Sequence, residues 1–332
     1  MHQSGGLESF LSEPATQMHQ SGGLEALPRR RLWVVRFDDR AVRWIERVLG
    51  PDATVVRARR MRGGISSIVH EVSVRRAHGL EHVVLRRTPL DDEVVGHDPA
   101  GETRREAGML QRLNGRAFAP AVLGHDFSGD ECGVPSMLMT RLPGRPTVAP
   151  TDVTAWIDGL TTAVRMIKAL RDNSDELGRF QPWFSLDFEP PVWSRAPSLW
   201  ADVAKDLKTS LPRVYGPDQL VHRDLHPGNV LFHRGKLSGI VDWTHACRGP
   251  VEADVSRCRV EVAILAGMDA ADLFLTNCAD MIESYDRRWD ALVALELAPW
   301  IEGLTEFNRL GASLDVASIA RTCDDLVIAA AG

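Results

Sequence analysis

Residues 222–232 read His-Arg-Asp-Leu-His-Pro-Gly-Asn-Val-Leu-Phe, and residues 240–243 read Ile-Val-Asp-Trp. Together they carry two carboxylates, Asp224 and Asp242, and one carboxamide, Asn229. Such oxygen donors suit a hard cation such as magnesium, which keeps several waters and bridges substrate phosphates. Asn229 and Asp242 are the expected metal ligands, and Asp224 is expected to face an acceptor hydroxyl. The spacing supports this division. Pro227 and Gly228 favour a turn over a continuing helix, so Asp224 and Asn229 can point into one cavity. Residues 230–232 then read as a strand, Arg234-Gly235-Lys236 as a turn, and residues 237–241 as the return strand that brings Asp242 back beside Asn229.

The ordered set, H-R-D-L-H-P-G-N-V-L-F, then I-V-D-W, then Glu252-Ala253-Asp254, resembles the aminoglycoside phosphotransferase family, the small-molecule branch of the protein-kinase-like fold. The resemblance implies an α+β, bilobal molecule with a small N-terminal β-sheet lobe carrying a helix and a larger, mainly helical C-terminal lobe. It implies Asp224, Asn229 and Asp242 as catalytic residues, ATP (or GTP) and Mg2+ as cofactors, and transfer of a γ-phosphoryl group to a small-molecule hydroxyl. An aminoglycoside-like antibiotic is one such acceptor; a choline-like alcohol, a sugar or a macrolide is another. Protein kinases follow their metal aspartate with Phe-Gly and later carry Ala-Pro-Glu. Here Trp243 and Thr244 follow Asp242 and no Ala-Pro-Glu comes after, which favours a small acceptor over a protein. A nucleotide-binding pseudoenzyme or interaction module of the same fold is the competing class. His222 and His226 flank the loop but are softer ligands than this cation requires, and His222 reads as a packed, loop-shaping residue. Arg223, with no phosphorylated activation segment to bind, is expected to pair with a nearby carboxylate.

The remainder of the chain must position these groups. It has 332 residues, 44% hydrophobic and 25% charged, enough for one large core or two modest ones. A formal net charge of -6 argues against general nucleic-acid binding and tolerates a cationic substrate. The five cysteines, Cys132, Cys247, Cys258, Cys278 and Cys323, are odd in number and form no Cys-x-x-Cys pair, so reduced thiols in a cytoplasmic protein are expected. No apolar run approaches the roughly 20 residues that span a bilayer, so no membrane partner is expected.

Residues 1–28 contain Met-His-Gln-Ser-Gly-Gly-Leu-Glu twice, beginning at Met1 and at Met18, and read as a flexible leader. Residues 29–140 are expected to form the nucleotide-binding lobe. Val42, Ile45, Val48 and Leu49 mark a helix that ends at Gly50-Pro51. Strand-like residues flank Arg62-Gly63-Gly64-Ile65-Ser66-Ser67, where the glycines let the backbone approach a phosphate and Ser66 and Ser67 add donors. In the strand at 82–87, alternation puts Val84 and Arg86 on one face, with Arg87 as the alternative inward cation.

The resemblance places Arg86 where the kinase fold carries its phosphate-binding lysine, an arginine form seen in one subgroup of the family. Its helix partner in residues 102–113 is Glu106, with Glu102 one turn earlier as the alternative. The resemblance also makes residues 141–147 the hinge, with an adenine contact at Thr140 to Leu142, and makes Asp254 a buttress of the catalytic loop. An ordinary first-turn carboxylate is the simpler reading of Asp254.

Residues 148–332 are expected to form the catalytic and acceptor-binding lobe. Asp152 can cap a helix whose stripe runs through Val153, Trp156, Leu160, Val164, Ile167 and Leu170. The proline-rich residues 181–197 read as an irregular excursion, either a lid on the acceptor pocket or a surface loop. Residues 273–289 and 294–310 read as two helices, with Glu283, Asp286, Glu302 and Glu306 as candidates for an acidic acceptor pocket.

Overall fold

The computed structural model describes residues 37–61, 67–90, 97–170, 176–184, 188–214 and 216–332. The duplicated leader and Gly63, Gly64 and Ser66 therefore lie outside the described residues.

The first helix, α1 (Asp39–Leu49), begins where the Asp38 carboxylate accepts the Ala41 N–H and stops at Gly50, whose φ of 103° ends the helix. A five-stranded antiparallel sheet follows, built from β1 (Thr54–Arg60), β2 (Ile68–Arg76), β3 (Gly79–Arg87), β4 (Val122–Asp126) and β5 (Ser136–Thr140). Its order is β1-β2-β3-β5-β4. The helix α2 (Pro99–Arg112) connects β3 to β4 and starts at a cap made by Asp98. Strand alternation divides β3 between two cores. Val83 and Leu85 face the cluster around Trp44 and Ile45 of α1, whereas Val84 joins the cluster that contains Met137 and Leu110 of α2.

Beyond the sheet the chain is mainly helical. The Asp152 carboxylate caps α3 (Val153–Lys168) by accepting the Ala155 N–H. Trp156, Leu160, Val164, Ile167 and Leu170 are buried as the stripe requires, but Val153 is exposed, because a first-turn residue lies beyond the packed face. The irregular stretch before α4 (Pro197–Thr209) is held to the C-terminal helix by Asp324, which accepts from Ser194 Oγ, the Arg195 N–H and Trp200 Nε1. A short β6 (Arg145–Pro146) pairs with β8 (Val230–His233), which forms a hairpin with β9 (Lys236–Ile240). The turn between them uses Arg234 and Gly235, both at positive φ. The pair β7 (Gln219–Val221) and β10 (Cys247–Gly249) brackets this hairpin in sequence. Then come α5 (Val251–Ala266), α6 (Met268–Asn277), α7 (Arg288–Leu297), a 3₁₀ helix Ala298–Leu310, and α8 (Val316–Ala331) behind a capping box at Asp315 and Ser318. The helix α5 is buried from Val251 to Ile264 and serves two clusters at once, Val255 and Val262 on one side, Val260 and Ile264 on the other. Among the described residues no helix is long and apolar enough to cross a membrane.

Two expected helices are broken, for identifiable reasons. In residues 273–289 the helix stops at Asn277, where Arg165 of α3 takes the Asn277 carbonyl and Lys168 takes that of Met281. It restarts when Asp286 accepts the Arg288 N–H. In residues 294–310 the α-helix ends at Leu297, because Pro299 has no N–H to donate and its ring crowds the preceding turn.

Gly144 lies where the chain leaves the sheet, with φ +94° and an added Cβ only 2.5 Å from the Phe232 carbonyl oxygen. Gly115 shares the backbone conformation, φ +84°, but faces open space. Gly115→Ala is expected to cost about 1 kcal/mol, the left-handed strain alone. Gly144→Ala adds overpacking against backbone and should cost a further ~1–3 kcal/mol. Denaturant unfolding of both variants checks this, and equal losses would refute the packing argument.

Candidate active site

The loop that leaves β7 is fixed first through its backbone. The Asp254 carboxylate accepts the N–H of His222 and the N–H of Arg223, each at 2.8 Å. Arg223 takes φ 71°, a reversal uncommon for a side-chain-bearing residue, and these two bonds hold it there. Its guanidinium forks onto Glu296 of α7 at 2.7 and 3.2 Å, donates to the Gln181 carbonyl, and lies over the rings of Trp183 and Phe180. Glu296 also accepts the Trp183 N–H, so residues 180–183 are held against the loop. The expected carboxylate partner of Arg223 is thus present.

The second half of the loop turns as Pro227 and Gly228 suggest. The Asn229 N–H returns to the His226 carbonyl at 2.9 Å, and Asn229 Nδ2 donates to the Asp224 carbonyl at 3.0 Å. An added Cβ at Gly228 would meet Phe307 at 2.8 Å, so this close approach needs glycine. The Val241 N–H donates to the Asn229 carbonyl at 2.9 Å, which sets Asp242 close to Asn229. Asp242 has φ 67°, and its Oδ1 accepts from Thr244 Oγ1 at 3.0 Å and Arg86 at 2.8 Å. The Arg86 guanidinium also contacts Glu106 of α2, at 2.8 Å. Glu102 instead stands 3.5 Å from His97. Arg87 is fully buried on the opposite side of β3, its guanidinium 6.0 Å from the Phe37 ring centroid.

Around Asp224, Arg257 of α5 contacts Oδ1 through Nε at 3.1 Å and through its terminal nitrogen at 3.0 Å. Burial works against the charge of Asp224, yet Arg257, with His226 and His245 nearby, holds the carboxyl below the usual range. Burial likewise opposes Asp242, and Arg86 outweighs it, keeping this group far down. Glu106 is the counter-case: burial raises its carboxyl, although Arg86 pulls the other way. Burial pushes Asp254 up to about 7 against its two N–H donors and holds the His222 imidazole down to about 4. The His222 ring packs on Trp243, 4.6 Å between centroids, with Nε2 against the Val241 carbonyl.

The site brings together Asp224, Asn229, Asp242, Arg86 and Glu106. Asn229 spends its amide nitrogen inside the loop, which leaves its oxygen for a ligand. That oxygen and the Asp242 carboxylate form a two-donor set of the kind magnesium uses when it also binds phosphates and water, so the residues fit that ion. Ser67, immediately before β2, is buried. The Thr140 N–H and Oγ1 both engage Ala121, and the Leu142 carbonyl accepts from Arg141 while its side chain lies against Gly239.

The proposed acidic pocket is not assembled. Asp286 is bound to Arg288 and the Arg213 N–H, Glu306 pairs with Arg309, and Glu283 and Glu302 are exposed. What the sequence reading missed is Arg257, Glu261, Glu296 and the Phe180–Trp183 clamp. The i, i+4 spacing of Arg257 and Glu261, three and seven residues after Asp254, was the available signal.

Residues 59–313 match the family model described as phosphotransferase enzyme family. The chain belongs to this family. Among curated relatives it is similar to homoserine kinase of Methylobacterium radiotolerans, 27% identical over 46% of this chain and 50% of that protein. Homoserine kinase of Beijerinckia indica is 28% identical over the same shares, 46% and 50%. The chain thus spans about half the length of these curated relatives. Among solved structures it resembles an aminoglycoside phosphotransferase, a thermostable mutant of APH(4)-Ia in complex with ADP and hygromycin B. There the TM-score is 0.58 and the identity 19%, over 84% of this chain and 96% of that one. Choline kinase LicA from Streptococcus pneumoniae gives TM-score 0.54 at 12% identity, over 83% and 94%. These likenesses give the protein-kinase-like fold.

Removing Glu296 strands a buried guanidinium and the Trp183 N–H, so Glu296→Ala should cost about 3–5 kcal/mol. The Glu306–Arg309 pair is solvent-screened, and Glu306→Ala should cost under ~1 kcal/mol. Urea unfolding of the two variants compares them; a mild Glu296→Ala would mean that Arg223 is held chiefly by its aromatic neighbours.

Proposed function

We propose that the protein is an ATP-dependent kinase that transfers the γ-phosphoryl group to a hydroxyl of a small molecule bearing an amine or ammonium group. The observation that carries this reading is the convergence of Asp224, Asn229, Asp242 and a carboxylate-anchored Arg86 from separate elements. Asp224 accepts the hydroxyl of the acceptor and orients it in line with the phosphoryl group. Because such transition states are loose, its proton transfer comes late and positioning dominates. Arg86, anchored by Glu106, contacts the nucleotide phosphates. Asn229 and Asp242 would hold magnesium, which would supply charge neutralisation for the transferring phosphate. Gly63, Gly64, Ser66 and Ser67 are assigned to the phosphates, and Thr140 and Leu142 to the adenine edge.

The acceptor class rests on chemistry shared by the named relatives. Homoserine, choline and hygromycin B differ in size, yet each joins a hydroxyl to a nitrogen cation. A net charge of -6 tolerates such a cation. One observation favours the second reading, a nucleotide-binding module without turnover: Arg86 occupies Asp242, the residue that magnesium requires. In the kinase reading Asp242 would give up Arg86 to hold the cation, while Glu106 would retain the guanidinium.

The deciding experiment incubates the full chain with ATP, magnesium and a panel of homoserine, choline, aminoglycosides, sugars and macrolides, with mass detection of an added phosphoryl group. Transfer to an amine-bearing acceptor that stops when EDTA removes magnesium is expected; nucleotide binding with no transfer would favour the module. Asp224→Asn should reduce turnover by about a hundredfold or more, the scale for losing a positioned base. Near wild-type turnover in that variant would remove Asp224 from its role.

A further inference from the structure

We infer that Arg257, locked by Glu261, is a positioning residue that sets which oxygen of Asp224 meets the acceptor; this rests on the kinase reading above. Arg257 and Glu261 lie one turn apart on α5, the helix whose first turn supplies Asp254. The Arg257 guanidinium reaches Asp224 Oδ1 with two nitrogens, at 3.1 and 3.0 Å, and Glu261 Oε1 at 3.0 Å. Glu261 is almost fully buried, and its other oxygen stands 3.1 Å from His226 Nδ1. One edge of the planar guanidinium, Nε and a terminal nitrogen, faces Oδ1, and the same terminal nitrogen stands in ion-pair contact with Glu261, so opposite charge on that side holds the group in place. Oδ1 is therefore the oxygen that Arg257 holds. Oδ2 has His226 Nε2 at 3.8 Å, beyond hydrogen-bond length, and among the described residues none donates to it. Oδ2 is left as the oxygen that accepts the acceptor hydroxyl.

The arrangement gives α5 two separate holds on one loop. Asp254 fixes the backbone at His222 and Arg223, and Arg257 fixes the carboxylate of Asp224 itself. Glu261 touches no part of the proposed reaction centre directly; it acts through Arg257 and His226.

The test compares full-length wild type with Arg257→Lys and Arg257→Met, by crystallography and by steady-state kinetics. Lysine keeps the charge and protects folding but cannot hold Oδ1 and Glu261 in a fixed fork. Expected are a rotated Asp224 carboxylate in the methionine variant and a kcat lowered by about a hundredfold, the scale of an ångström-level misplacement. Arg257→Lys should recover part of that loss, and the acceptor KM and the affinity for MgATP should change by no more than about twofold in either variant. An Asp224 carboxylate that keeps its place in Arg257→Met, or a kcat within about twofold of wild type, overturns the inference. Should the wild type phosphorylate no acceptor, the kinase reading fails while the crystal structures still decide whether Arg257 positions Asp224.

Discussion

One guanidinium joins three parts of this chain that are distant in sequence. Arg86 on β3 sits between Glu106 on α2 and Asp242 beyond β9, with 2.8 Å contacts to both. Desolvating an arginine at this depth is costly unless its charge is fully matched, and two carboxylates supply more than a match. The surplus negative charge has a chemical meaning. A cation placed at Asp242 would relieve it, while the pair with Glu106 keeps the guanidinium aimed at the same place. The sheet, its helix and the hairpin that leads to Asp242 are therefore aligned by one interaction, and in the proposed kinase the same interaction would prepare the site for a metal-bound polyphosphate.

The second constraint is the polarity of α5. A helix buried along nearly its whole length would ordinarily be apolar all round, yet this one carries Glu252, Asp254, Arg257, Arg259 and Glu261. The distances explain how they are tolerated. Asp254 is satisfied by backbone N–H groups, Arg257 by Asp224 and Glu261, and Arg259 by Asp290 and Asp272. These three are matched within the fold, and two of the matches end on the loop that carries Asp224. The helix is at once the centre of two hydrophobic clusters and the support for the loop chemistry.

Residues 180–184 show how one arginine can serve different ends. Arg223 holds its own chain through Glu296, the Gln181 carbonyl and two aromatic rings. Trp183 is left partly exposed and edge-on to His245, beside the loops that carry Asp224 and Asp242. The proline-rich stretch from 181 therefore begins as a packed wall beside the site, and its later part is bound to α8 through Asp324.

Much of this could be read from local sequence, because the deciding forces were local. Asp38 and Asp152 announce helix starts through their own side-chain bonds, alternation in residues 82–87 separates Arg86 from Arg87, and Pro227-Gly228 with the 230–241 hairpin brings Asn229 and Asp242 together. The order of motifs carried the fold family with it. What the sequence could not determine depended on partners far along the chain. Arg165 and Lys168 end a helix more than a hundred residues away, and Asp254 is a buttress only because α5 passes beneath the loop. Arg257, Glu261 and Glu296 look like ordinary helical surface charges until tertiary packing removes water from them. Burial then obliges each to find an opposite charge, and the catalytic loop is where they find it.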